Sequence, residues 1–123
     1  MYPTGPTIFV IDDDESVRRA VGRLIRAAGL NVKTFAAAED FMRSTGLTAP
    51  GCLVLDVHLP GLSGLELQQR LNAEGRGVPI VFITAYGDDQ ACDRALRAGA
   101  IAFLQKPFEE QSLLDAVGRA LCS

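Results

Sequence analysis

The sequence predicts an α/β fold in which one parallel sheet is covered by helices on both faces, and three observations carry this. Apolar runs of strand length alternate with stretches of helical period along the whole chain. Most of these runs are continuously apolar, as strands buried on both faces require. No linker, repeat or low-complexity segment breaks the alternation, so a single domain accounts for it.

The first strand is read at 7–11, behind a lead-in of residues 1–6 expected to be flexible. A helix begins near Glu15, where Val17, Ala20, Val21, Leu24, Ile25 and Ala28 recur at helical spacing while Arg18, Arg19, Arg23 and Arg26 occupy other positions. Gly29 supplies its stop. The second strand, 31–35, alternates polar and apolar residues, which suggests an edge; a short helix follows over 39–44. The third strand is read at 52–55, the fourth at 79–83 and the fifth at 100–104. Helices are read from Leu67 with Leu71, from Ala91 with Ala95 and Ala98 ending at Gly99, and from Leu113 with Val117 and Leu121. Five βα units over 7–122, joined by right-handed crossovers, predict a doubly wound sheet of flavodoxin-like order 2-1-3-4-5.

Composition narrows the function classes. The 123 residues are 48% hydrophobic and 22% charged, ordinary for a globular domain. A net charge of −3 leaves no basic footprint for direct nucleic-acid binding. The longest apolar runs fall far short of the roughly 20 residues that cross a bilayer, and the N-terminus has no basic and apolar signal pattern, so a cytoplasmic protein is expected. Cys52, Cys92 and Cys122 are odd in number and widely spaced, which argues for free thiols.

In doubly wound sheets ligands bind at the carboxyl ends of the strands. Asp12, Asp13 and Asp14 follow the first strand, Asp56 the third, Thr84 the fourth and Lys106 the fifth. Singly, each has an ordinary explanation as a helix cap or a solvated charge. Together they form a convergent acidic set with one lysine and one hydroxyl, suited to a hard cation such as Mg²⁺ or Mn²⁺ and to a phosphoryl group. An aspartate carboxylate can attack phosphorus directly, and Asp56 is the candidate. Mg²⁺, Lys106 and the Thr84 hydroxyl would stabilise the charge of the transition state.

The segments Ile11-Asp12-Asp13-Asp14-Glu15, Asp56-Val57-His58-Leu59-Pro60-Gly61-Leu62-Ser63-Gly64, Ile83-Thr84-Ala85 and Gln105-Lys106-Pro107-Phe108 together resemble the receiver domains of two-component response regulators. The resemblance covers nearly the whole chain. It implies that Asp56 is the phosphoacceptor and that Asp13, Asp56 and the backbone carbonyl of His58 bind Mg²⁺, with Asp12 acting through water. It implies further that Lys106 pairs with the phosphoryl group, that the Lys106-Pro107 bond is cis, and that Thr84 moves toward the new phosphate. Phe103 matches the family's switch aromatic, although core packing alone would also explain it. His58, through its side chain, and Tyr86 border the phosphate and would shape its access to water; an exposed tyrosine without a role is the alternative.

The resemblance also implies partners. A sensor histidine kinase would donate the phosphoryl group, and the first helix, with Arg19, Arg23 and Arg26, either meets that donor or is a solvated charged face. Helix 4, strand 5 and helix 5 would form a homodimer surface in the phosphorylated state. Gly51-Cys52-Leu53-Val54-Leu55-Asp56 and Lys106-Pro107-Phe108-Glu109 are most similar to FixJ-type receivers, which usually precede a DNA-binding output domain; none is read in this chain. The competing reading is a haloacid-dehalogenase-type phosphatase with Asp12 as nucleophile, because Asp12-Asp13-Asp14 contains Asp-x-Asp after a strand. Lys106 falls in the wrong order for it, and the Asp56 motif would be unexplained.

Overall fold

A computed structural model describes residues 6–44, 50–85 and 89–122. Its elements run β1 (Thr7–Ile11), α1 (Glu15–Ala27), β2 (Asn31–Phe35), α2 (Ala38–Arg43), β3 (Pro50–Asp56), α3 (Gly64–Ala73), β4 (Ile80–Thr84), α4 (Asp89–Arg97), β5 (Ala102–Gln105) and α5 (Glu110–Leu121). The strands form one sheet in the order β2-β1-β3-β4-β5, every neighbouring pair parallel. The expected order therefore holds, and the alternating strand, β2, lies at an edge with Lys33 and Thr34 exposed. Of the lead-in expected at 1–6, residues 1–5 lie outside the described residues.

Successive strand residues feed two cores, because side chains alternate across a sheet. Phe9, Ile11, Leu53, Leu55 and Phe82 pack with Phe41, Leu67, Leu71 and Ala95, beneath α2, α3 and α4. Ile8, Val10, Val54, Val81 and Ile83 pack with Val21, Ile25, Leu113 and Val117, beneath α1 and α5. With both faces covered, no position in β1, β3 or β4 is free to be polar until the strand ends. Each fully buried Leu, Ile or Phe contributes about 1.5–3 kcal/mol relative to exposure.

Boundaries differ from the periodicity where polar residues begin an element. Helix α3 starts three residues before Leu67 because Ser63 caps it: Ser63 Oγ accepts the Glu66 N–H at 3.2 Å and Glu66 Oε1 accepts the Ser63 N–H at 2.9 Å. The Glu66 carboxyl is held below its usual range, chiefly by the Ser63 N–H. Ser63→Ala should therefore cost about 1 kcal/mol in denaturant unfolding. Strand β5 starts at Ala102 rather than Ala100, since the Ala100 N–H closes the end of α4 on the Ala95 carbonyl. Ala20 on α1 and Ala28 at its C-cap are exposed although they follow the apolar period. Gly29 ends that helix with φ +86° and its N–H on the Arg26 carbonyl.

The three cysteines are free, as expected. Burial pushes the Cys52 thiol up to about 12, so it behaves as a small apolar side chain.

Candidate functional site

The parallel register aligns Ile11 with Leu55, Asp56 with Ile83 and Thr84 with Gln105. Asp12, Asp56, Thr84 and Lys106 therefore emerge at one edge of the sheet from four different strands. Asp56 and Thr84 are the last residues of their strands, and both are buried. Lys106 Nζ donates to Asp12 Oδ2 at 2.8 Å and to Asp56 Oδ2 at 3.1 Å, bridging residues 94 and 50 positions away. The Lys106-Pro107 bond is cis, as the resemblance implied.

The three consecutive aspartates have three different environments. Asp12 is fully buried and also accepts the Asp14 N–H at 2.9 Å. Asp13 is exposed and turned toward the cluster. Asp14 caps α1, accepting the Ser16 N–H at 2.8 Å and the Val17 N–H at 3.3 Å. The helix-cap explanation thus applies to Asp14 alone among them.

Electrostatics follow from the crowding. Burial lifts the Asp12 carboxyl above its usual range, and the Asp56 charge adds to the rise against the lowering effect of Lys106. Burial alone would lower Lys106, but its hydrogen bond to Asp12 and the charges of Asp12 and Asp56 outweigh that and raise it. The lysine is therefore a fixed cation at neutral pH. Oxygen atoms of Asp12, Asp13 and Asp56 lie within 4.8 Å of one another. One ammonium against three carboxyl groups leaves the cluster short of positive charge, and an all-oxygen donor set at this spacing fits a hard divalent cation.

The remaining predicted residues are placed as follows. His58 donates its backbone N–H to Asp56 Oδ1 at 2.9 Å and is exposed. The half-buried Phe103 pairs with Phe82 in the β4–β5 register, ring centroids 6.1 Å apart. Tyr86 lies outside the described residues. Arg19, Arg23 and Arg26 are exposed along one flank of α1. The other flank borders a cavity of about 450 Å³, lined by Val17, Leu24, Pro107, Phe108 and Lys106 itself. Two contacts were not legible in the sequence. Arg18 Nη1 donates to the Asp12 carbonyl at 2.8 Å, and Glu39 Oε2 accepts the Leu62 N–H at 2.8 Å. Neither belongs to a local motif, and the second spans 23 residues.

A 2-1-3-4-5 sheet with a lysine reaching across aspartates at its carboxyl edge defines a class of phosphoacceptor signalling domain. The response regulator receiver domain model matches residues 8–118, and the chain belongs to that family. It is 47% identical to the transcriptional regulatory protein TdiR of Thauera aromatica over 115 residues, 94% of this chain and 51% of that protein. The structure of the response regulator StyR superposes with a TM-score of 0.89 at 54% identity, covering 95% of this chain and 59% of that one. The structure of FixJ-N superposes with a TM-score of 0.88 at 33% identity, covering 97% and 95%. The chain spans about half the length of the curated relatives it matches.

The domain is thus a regulatory receiver. The phosphatase alternative is not supported by these matches.

Proposed function

We propose that Asp56 accepts a phosphoryl group from a sensor histidine kinase and that Lys106 and Thr84 read its arrival. The observation that carries this is Lys106 Nζ, placed 2.8 Å from Asp12 and 3.1 Å from Asp56. An Asp56 carboxylate oxygen attacks phosphorus as the phosphorus–nitrogen bond of the donor phosphohistidine breaks, its electron pair returning to the imidazole. A carboxylate nucleophile needs no general base. Asp13 and Asp56 by carboxylate, His58 by its carbonyl and Asp12 through water would hold Mg²⁺ or Mn²⁺. The bound cation supplies neutralisation of the phosphoryl oxygens. Lys106 then pairs with one phosphoryl oxygen, and the Thr84 hydroxyl donates to another.

The switch is a population shift. A phosphoryl group adds about −1.5 to −2 charge and can favour a second packing only through contacts it makes better there. Thr84 and Lys106 supply those contacts, and Phe103, half-buried on Phe82, carries the change toward α4, β5 and α5. That surface would serve a homodimer. His58 and Tyr86 would control water at the phosphate and so the rate of self-dephosphorylation. The cavity beside Lys106, apolar along α1, suits an amphipathic helix of the kinase. In the full-length protein, a cytoplasmic transcription regulator, the receiver would govern a DNA-binding output domain.

Incubation with acetyl phosphate should give an intact-mass adduct that requires Mg²⁺, does not form when EDTA is present and maps to the peptide containing Asp56. An adduct on another residue, or one indifferent to EDTA, would overturn the assignment.

A further inference from the structure

The loop between β3 and α3 carries the acceptor's neighbours, and it is tied down at both ends. At its start the His58 N–H is held by Asp56 Oδ1 at 2.9 Å. At its end the Gly64 N–H reaches the Val57 carbonyl at 3.1 Å, and Ser63 and Glu66 close the capping box. Its middle is held from another element. Glu39, in the first turn of α2, places Oε2 2.8 Å from the Leu62 N–H.

The same oxygen lies over Gly61, whose φ is +76°. A Cβ at Gly61 would come within 2.5 Å of Glu39 Oε2 and 3.4 Å of its Cδ. The close approach thus pairs a glycine on one side with a side-chain acceptor oxygen on the other. The Leu62 amide is the largest influence holding the Glu39 carboxyl below its usual range, with Arg43 and Arg70 adding to it. Glu39 is therefore ionised at neutral pH, and a charge-assisted hydrogen bond fixes the loop.

We propose that Glu39 is a positioning residue for the divalent-cation site, holding the β3–α3 loop that carries the His58 carbonyl. This rests on the reading of Asp13, Asp56 and the His58 carbonyl as the cation's ligands. Glu39 itself is not a ligand. Its effect is on geometry, which gives it a signature that loss of a nearby negative charge would not have. Mg²⁺ demands near-ideal octahedral geometry, whereas Ca²⁺ tolerates irregular sites. A loosened loop should weaken Mg²⁺ more than Ca²⁺, while lost charge should weaken both alike.

The test is calorimetric titration of the whole 123-residue chain with MgCl₂ and separately with CaCl₂. Wild type, Glu39→Ala, Glu39→Gln and Asp13→Asn are compared, with thermal unfolding in EDTA as the check on folding. Glu39→Ala should weaken Mg²⁺ about tenfold, within the range typical of groups that support metal ligands, and Ca²⁺ less than about threefold. Glu39→Gln, which keeps the acceptor oxygen, should recover most of the loss. Unchanged Mg²⁺ affinity in both variants, or equal losses for the two cations, overturns the proposal. If Glu39→Ala does not fold, Glu39→Asp decides, since its shorter side chain withdraws the acceptor oxygen from the Leu62 N–H while keeping the charge, and an unchanged Mg²⁺ to Ca²⁺ ratio in it overturns the proposal. A wild type that binds no Mg²⁺, or an Asp13→Asn that binds as well as wild type, removes the ligand reading and the positioning role with it. With wild type and Asp13→Asn behaving as expected, failure at Glu39 alone leaves the ligand reading standing.

Discussion

Asp56→Asn should accept no phosphoryl group and yet unfold at a higher temperature than the wild type in EDTA. The first effect is all or none, because a neutral amide oxygen is not a nucleophile toward phosphorus under conditions where a carboxylate is. The second follows from charge crowding. Asp12, Asp13 and Asp56 lie within 4.8 Å of one another with Lys106 as the cation between two of them. Removing one carboxylate ends two repulsions and one attraction, and at an effective dielectric near 20 the balance favours the variant by roughly 1 kcal/mol. That corresponds to about 3–6 °C for a domain of this size.

Salt and pH give the sign a second check. Saturating Mg²⁺ should close the gap, since a ligand of the native state stabilises only the protein that binds it. Lowering the pH should close it too. The Asp12 carboxyl is raised by burial and by Asp56, so its stabilising contribution is full below the unfolded value of 3.8 and is lost as pH rises through the higher folded value. The penalty that Asp56→Asn relieves therefore belongs to neutral pH. Intact mass after acetyl phosphate, with circular-dichroism melts in EDTA and in Mg²⁺, reads both effects. A variant that melts below the wild type in EDTA would show the Asp56 carboxylate to be structural and sink the repulsion argument.

Gly64→Ala is the second large effect, and local propensity gives it the wrong sign. Gly64 is the first residue of α3, where alanine would by itself be favoured by about 1 kcal/mol. In the fold, a Cβ there would overlap the Asp56 backbone carbonyl and come within 3.1 Å of the Asp56 carbonyl carbon and the Val57 Cα. These are buried backbone atoms of the last residue of β3 and the one after it, and cannot swing aside as a side chain tip can. Helix α3 must lift away, and overpacking of this kind costs about 1–3 kcal/mol. The displaced atoms belong to Asp56, the proposed acceptor, and to Val57 beside it, so the rate of labelling by acetyl phosphate should fall as well. Denaturant midpoints and labelling rates measure the two. A neutral or stabilised variant would mean that α3 slides freely over the end of β3.

Both results depend on how much of this domain is local. The class and strand order were legible because burial on two faces forces continuous apolar runs, and β2 stood out by alternating. The site was legible because βα topology puts every strand end at one edge, so Asp12, Asp56, Thr84 and Lys106 needed only to be the residues at those ends. Element starts were less legible. Ser63 and Asp14 begin helices by capping backbone amides, which leaves no trace in an apolar period.

What the sequence determined by itself is thus the αβ alternation, the sheet and the set of residues at its carboxyl edge, since each depends on chain-local pattern plus one topological rule. Only the tertiary structure decided how those residues divide the work. It buried Asp12 on Lys106, left Asp13 exposed at the rim of the cluster and made Asp14 a cap, although the three are identical neighbours in the chain. It also brought Glu39 onto Leu62 and packed Gly64 against the Asp56 carbonyl. Such contacts depend on distances between elements set by core packing, and a pattern read along one chain carries no information about them.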